Sequence, residues 1–208
     1  KVGSTFTFNL SVIQGWTYFI SFSLFFLMLY QSMFKNYVST KGSGFSDLPF
    51  HMNIISSISH GFNNKRKNLM AIDSSFYSGE QLVYPIIPNF YSAFLIATGR
   101  TNMRISLLIP STIVGFSLIV GLYTLCLYFT RSHFGALLSI IIFANLAGLG
   151  FIVLFNKECE HSDDLTHNWC KERIEYWFHP LIHILIPQRA ALWSLPLCFW
   201  TYICLIVG

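Results

Sequence analysis

The chain has 208 residues, of which 53% are hydrophobic and only 11% are charged, whereas a soluble domain carries about 25% charged residues. So little polar surface excludes soluble enzyme folds, and it also excludes disordered and fibrous classes. The net charge of +4 is too small and too scattered for a nucleic-acid-binding protein. The sequence therefore predicts a membrane protein with no nucleic-acid partner.

Four windows are apolar over the length that a membrane-spanning helix requires, about 20 residues. They cover residues 16–34, 105–129, 134–155 and 192–208. Because the last window is still apolar at Gly208, we expect the chain to be a piece of a longer protein. The predicted fold is all-α, a single polytopic membrane domain over residues 1–208 with about four transmembrane helices.

Two long connections, residues 35–104 and 156–191, separate these windows, and a short turn joins the second window to the third. The turn contains Arg131, so the positive-inside rule predicts that it is cytoplasmic and that both long connections are lumenal or extracellular. The 9 acidic residues all lie in the long connections: Asp47, Asp73, Glu80, Glu158, Glu160, Asp163, Asp164, Glu172 and Glu175. The predicted location is an integral membrane protein, with the choice of membrane left open between the endoplasmic reticulum and the plasma membrane.

The first long connection contains two apolar stretches that are too short to span a membrane. The motif SDLPFH at residues 46–51 predicts the start of a helix, with Ser46 as its cap and Gly61 as its stop. With helical spacing, Asp47 and His51 share one face. The second stretch, residues 82–96, is interrupted by two prolines and predicts a short helix that ends near Gly99. We expect both helices to lie along the membrane surface.

The order of these elements resembles the amino-terminal half of polytopic glycosyltransferases of the GT-C fold. Relatives in that group include the protein O-mannosyltransferases and the catalytic subunit of oligosaccharyltransferase. The segments that carry the resemblance are SDLPFH at 46–51, YP at 84–85 leading into FYSA at 90–93, and LIPQRA at 185–190. The similarity runs from about residue 16 to the end. It implies transfer of a sugar from a polyprenyl-phosphate donor at the lumenal or extracellular face of the membrane.

The resemblance also implies roles for particular residues. Asp47 is the expected catalytic carboxylate of the first connection, as a general base or as a group that orients a metal. His51 is the expected nearby catalytic residue, a cation that tunes the pKa of this carboxylate. Arg189 matches a positive group that steadies the donor phosphate, which suits its rigid fork of donors. Asp163 and Asp164 are candidates for a second acidic motif. The metal requirement stays open, with a divalent cation as the candidate, and the first connection has no DxD pair.

Each of these residues has a simpler interpretation that the sequence leaves open. Asp47 can serve only as a helix cap, and Arg189 can anchor a helix end at the lipid headgroups. Asp163 and Asp164 fit a solvated turn. Cys159 and Cys170 of the second connection can close a disulfide in an oxidising compartment or remain unpaired thiols. A third alternative is a zinc site, in which His161 and His167 join the two cysteines as ligands.

A second class of function also fits the sequence. The chain can be a non-catalytic integral membrane subunit that packs against other membrane subunits of a larger complex. A channel or transporter fits less well, because no predicted span carries an acidic or basic residue in its interior to mark an ion path. A groove beside Asp47 favours the enzyme, whereas loops occupied by protein partners favour the subunit.

Overall fold

A computed structural model describes residues 11–33, 47–66, 68, 71–145, 159–160, 169–170 and 184–208. These residues contain six α-helices and one pair of very short strands. The helices are α1 (Val12–Met33), α2 (Asp47–Ser59), α3 (Ile87–Gly99), α4 (Met103–Thr130), α5 (His133–Asn145) and α6 (Arg189–Val207). A 3-10 turn follows α2 at Phe62–Lys65, and the strands are β1 (Cys159–Glu160) and β2 (Trp169–Cys170).

Helix α4 is the centre of the described structure, since it packs against α1, α3, α5 and α6. Its first turn is capped by Asn102, whose side-chain oxygen accepts a hydrogen bond of 2.9 Å from the backbone N–H of Ile105, as is usual for an asparagine N-cap. The helix ends at Thr130, and the following residue, Arg131, adopts a left-handed conformation with φ of 53°. Helices α2 and α3 pack against each other, and α3 also contacts the neighbouring helices α4 and α6.

Three of the helices are long and apolar enough to cross a membrane: α1 over Val12–Tyr30, α4 over Met103–Thr130 and α6 over Arg189–Val207. Large hydrophobic side chains on these helices are exposed, as lipid-facing side chains of a spanning helix are; examples are Phe19, Ile113 and Leu205. The three helices indicate an integral membrane protein.

The third predicted window, 134–155, is described only in part. Helix α5 is apolar, but its described length of 13 residues is below the length of a span, and residues 146–155 lie outside the described residues. The structure therefore supports three spanning helices, and the fourth stays a prediction. The same holds for the assignment of the connections to the lumenal or extracellular side.

The two predicted short helices of the first connection are present. Helix α2 begins at Asp47 and ends at Ser59, just before Gly61, while Ser46 lies outside the described residues. Helix α3 ends at Gly99 and carries Pro88 in its first turn, where a missing N–H costs no hydrogen bond. Their position along a membrane surface remains a prediction.

Candidate functional site

Four buried polar side chains form a hydrogen-bonded cluster where α2, α3 and α6 meet. They are His51 on α2, Asn89 and Ser92 on α3, and Arg189 at the first position of α6. Each is at most 1% exposed. We call this group the buried polar cluster.

Asn89 joins the cluster because its amide group has both a donor and an acceptor. Its Oδ1 accepts a hydrogen bond of 3.1 Å from Nη1 of Arg189, and its Nδ2 lies 3.1 Å from Nδ1 of His51. Because a guanidinium can only donate, the amide oxygen faces Arg189 and the amide nitrogen faces His51. This one side chain therefore links His51, which lies 38 positions before it in the sequence, to Arg189, which lies 100 positions after it.

Ser92 ties the cluster to the beginning of α4. Its hydroxyl accepts a hydrogen bond of 2.7 Å from Nη2 of Arg189 and donates one of 2.6 Å to the backbone carbonyl of Ser106. Asn89 and Ser92 are three residues apart, so both point from the same face of α3. The cluster therefore fastens the first turns of α4 and α6 to α3.

The orientation of Asn89 also sets the protonation of His51. An amide N–H directed at Nδ1 requires a lone pair on that nitrogen, so the ring proton is on Nε2 and donates to the backbone carbonyl of Pro187. Burial, together with the positive charge of Arg189, lowers the pKa of His51 to about 4. His51 is neutral at pH 7, and the sequence-based prediction of a cation at this position is corrected for that physical reason.

Arg189 is a buried cation whose described partners are all neutral. Its two hydrogen bonds go to an amide oxygen and a hydroxyl oxygen, and within the described residues its Nε has no partner. Neutral partners compensate the cost of burying a charge only in part. The charge of Arg189 therefore creates a positive electrostatic potential around the cluster.

Three half-buried side chains lie on the side of α2 near His51: Asp47, Phe50 and Tyr84. The ring of Tyr84 lies 4.9 Å from that of Phe50 and 5.8 Å from that of His51, measured between centroids. Burial is the main cause that raises the pKa of Tyr84; the charge of Asp47 adds to the rise, and that of Arg189 opposes it. The phenol therefore lies within the electrostatic reach of both predicted site residues.

The structure brings some of the sequence-predicted residues together and leaves others outside. Asp47, His51 and Arg189 lie around one junction, although the hydrogen bonds of His51 go to Asn89 and Pro187 and not to Asp47. Asp163 and Asp164 lie outside the described residues, as do His161 and His167. The described residues contain no group of three or more His, Cys, Asp or Glu side chains that could hold a metal.

Cys159 and Cys170, for which the sequence leaves a disulfide, free thiols or a zinc site open, lie on neighbouring strands. Strands β1 and β2 are antiparallel, and the two cysteines stand opposite each other in the register. This register does not decide between these alternatives, so the disulfide stays a prediction. The three described cysteines inside helices are free thiols: Cys126, Cys198 and Cys204.

Asn89 and Ser92 were missed by the sequence analysis. A usable signal existed, because the two polar residues are three positions apart within an otherwise apolar stretch and therefore share a helix face. Their partner could not be read from the sequence, since Arg189 lies about 100 residues further along the chain.

The fold and the cluster together define a helical membrane protein with a buried polar junction at the amino-terminal ends of α4 and α6. Searches against protein-family models, curated proteins and solved structures gave no match.

Proposed function

We propose that the chain carries part of the active site of a GT-C-like glycosyltransferase, which moves a sugar from a polyprenyl-phosphate donor at the lumenal or extracellular membrane face. One observation carries the proposal: the hydrogen-bonded path from His51 through Asn89 to Arg189 brings the start of α2 and the start of α6 together. The first residue of α2 is the expected acid, and the first residue of α6 is the expected cation.

The proposed reaction needs a base and a positive charge on one side of the membrane. The oxygen of the acceptor hydroxyl attacks the anomeric carbon of the donor, and the bond from that carbon to the phosphate oxygen breaks. The acceptor proton passes to the carboxylate of Asp47, and polyprenyl phosphate leaves with the bonding electron pair. A divalent cation could assist, with Asp47 and the acids of the second connection, Asp163 and Asp164, as candidate ligands.

Arg189 acts in this proposal through its charge and its position. Its guanidinium is enclosed by Asn89 and Ser92, so it favours an anionic donor on the Tyr84 side by long-range attraction. The same hydrogen bonds hold α6 against α3, and α3 in turn supports α2. Loss of Arg189 would therefore weaken donor binding and loosen the support of Asp47 together.

The test replaces Asp47 in the intact protein. Membranes containing wild type or Asp47→Asn are supplied with tritiated polyprenyl-phosphate mannose or polyprenyl-phosphate glucose, and the label that leaves the lipid is counted in all acceptor fractions. We expect the Asn variant to lose about 100-fold or more of the release rate, since general base catalysis contributes at least about 10²-fold.

Asp73→Asn is the matched control, because Asp73 is an exposed acid of the same connection and should keep the wild-type rate. Equal rates for wild type and Asp47→Asn would remove Asp47 from the chemistry. If the wild-type protein releases label from neither donor lipid, the proposed transfer from these donors is wrong.

A second candidate is a non-catalytic membrane subunit, and the complete enclosure of Arg189 favours it. A buried arginine with neutral partners can have a purely structural role, in which it fixes how α3, α4 and α6 pack. A non-catalytic subunit requires no further role of this residue. On this alternative Asp47→Asn leaves assembly unchanged, whereas Asn89→Leu, which removes both amide contacts, lowers the amount of assembled complex on native gels.

A further inference from the structure

A second polar feature lies apart from the buried polar cluster, in a cavity between α2, the 3-10 turn and α3. Its volume is about 340 Å³, within the range of small ligand sites. Residues that line it are Ile58, Asn64, Arg66, Phe90, Ala93, Phe94 and Ala97. Asp47, Tyr84 and Arg189 are not among them.

One end of the cavity is cationic. Nη1 of Arg66 donates a hydrogen bond of 2.6 Å to the backbone carbonyl of Asn63, and its guanidinium carbon lies 5.5 Å from the centroid of the Phe90 ring. Among the residues that the structure describes, its buried Nε atom has no hydrogen-bond partner. A guanidinium has five N–H donors, so Arg66 retains donors for an anion.

The other end is an apolar strip along α3. Phe90, Ala93, Phe94 and Ala97 follow the spacing of one helix face, and from first to last they cover about 10 Å at the helical rise of 1.5 Å per residue. Phe94 is 53% exposed, and Ala97 is also exposed. The strip thus continues from the cationic end to an open apolar surface.

The position of the strip in the chain places it beside a membrane span. Helix α3 ends at Gly99 and the spanning helix α4 begins at Met103, so only residues 100–102 separate the two helices. We expect α3 to lie at the membrane surface, and a site there with a cation at one end and an apolar strip at the other matches the two halves of a phospholipid.

We propose that this cavity binds an anionic phospholipid, with the headgroup phosphate on Arg66 and the upper part of one acyl chain along the strip of α3. The lipid would hold α2 against α3 at a place separate from the buried polar cluster. The proposal concerns lipid binding alone and is independent of sugar transfer.

The experiment counts bound lipid on the intact protein. Purified protein in detergent is titrated with phosphatidylserine, and complexes are measured by native mass spectrometry, with phosphatidylcholine as the uncharged comparison. We expect phosphatidylserine to bind more tightly than phosphatidylcholine, and Arg66→Gln to weaken phosphatidylserine roughly tenfold, in line with the loss of a hydrogen bond to a charged group.

Two further variants separate the cavity from a general attraction of lipid to positive charge. Lys65→Gln removes an exposed neighbouring cation that does not line the cavity and should change binding less than twofold. Ala97→Phe fills the apolar strip without touching the charge, and it should weaken phosphatidylserine about fivefold or more. This variant also tests the site if Arg66→Gln fails to fold.

Three results would overturn the proposal: equal losses in Lys65→Gln and Arg66→Gln, unchanged binding in Ala97→Phe, or complete displacement of the lipid by inorganic phosphate. The last result would mean that a soluble anion occupies the cationic end. None of these outcomes depends on a glycosyltransferase assay.

Discussion

At the scale of single residues, Asn89 is the side chain on which the buried polar cluster depends. An amide can donate to a neutral imidazole and accept from a guanidinium at once, and Asn89 does both. A carboxylate in its place could not donate to His51. The cluster therefore requires neutral His51 beside charged Arg189.

This requirement predicts that acid destabilises the protein through His51. The pKa of His51 is about 4 in the folded state and about 6.5 in an unfolded chain. The unfolded state therefore binds more protons between these values, so the free energy of unfolding falls as the pH is lowered from 6.5 to 4 and recovers as it is raised. Across this whole pH range, His51 lowers the free energy of unfolding by about 3 kcal/mol.

The measurement is the thermal midpoint of the detergent-solubilised protein from pH 7 to pH 4. His51→Gln should remove most of the acid-induced decrease, because glutamine does not titrate in this range. His60→Gln is the control, since His60 is exposed just beyond α2 and should leave the decrease as in wild type. An unchanged acid profile in His51→Gln would contradict the assignment of the low pKa to this histidine.

At the scale of elements, the contact of α1 with α4 depends on a glycine. A Cβ atom placed on Gly115 would overlap the ring of Phe25, a buried residue of α1. The absence of a side chain therefore lets the phenyl ring lie against the backbone of α4. Small residues at helix contacts of this kind allow close packing within membranes.

We expect Gly115→Ala to destabilise the protein by about 1–3 kcal/mol, the usual effect of overpacking a filled contact. The thermal midpoint should fall, and the added change Phe25→Leu should restore part of it, because the smaller side chain vacates the space. A destabilisation that Phe25→Leu does not relieve would show that the ring is not the cause.

Gly121→Ala provides the comparison on the same helix. A Cβ atom there would meet its two nearest neighbours, Cβ of Phe199 and Nε1 of Trp200, at 3.4 Å, the lower limit of ordinary contact. Replacement of a glycine inside a helix by alanine is itself favourable by about 1 kcal/mol. The thermal midpoint of this variant should therefore equal or exceed that of wild type.

The individual helices were largely predictable, and their partners were not. Lengths of apolar sequence predicted α1, α4 and α6, and the cap-like motif around Asp47 predicted α2, because these signals are local. The cluster was only half predicted: His51 and Arg189 were singled out, yet the amide between them was not. Hydrogen bonds across 38 and 100 residues depend on how helices pack, which local periodicity does not encode.

At the scale of the whole molecule, the buried polar cluster and the turn after α4 lie at opposite ends of that helix. Ser106 near the start of α4 contacts Ser92 of the cluster, and Arg131 directly follows the last residue of the same 28-residue helix. A helix of this length and composition can cross a membrane. The cluster and the turn should therefore face opposite compartments.

Cysteine labelling in sealed vesicles tests this arrangement. In a background without native cysteines, Ser78→Cys and Ser132→Cys place a thiol in the first connection and in the short turn, both at exposed positions. We expect a membrane-impermeant maleimide to label only Ser132→Cys from the cytoplasmic side, and only Ser78→Cys from the other. Labelling of both from one side would contradict a single crossing by α4.

The distance in sequence between Asn89 and Arg189 has a consequence for biosynthesis. The ribosome must add 100 further residues before the arginine exists, which takes about 5–20 s at the usual rates of translation. During that interval the amide oxygen of the nascent chain lacks its final donor, so water, lipid headgroups or a chaperone must occupy it. The hydrogen bonds that join the start of α6 to α3 can therefore form only late in the synthesis of the chain.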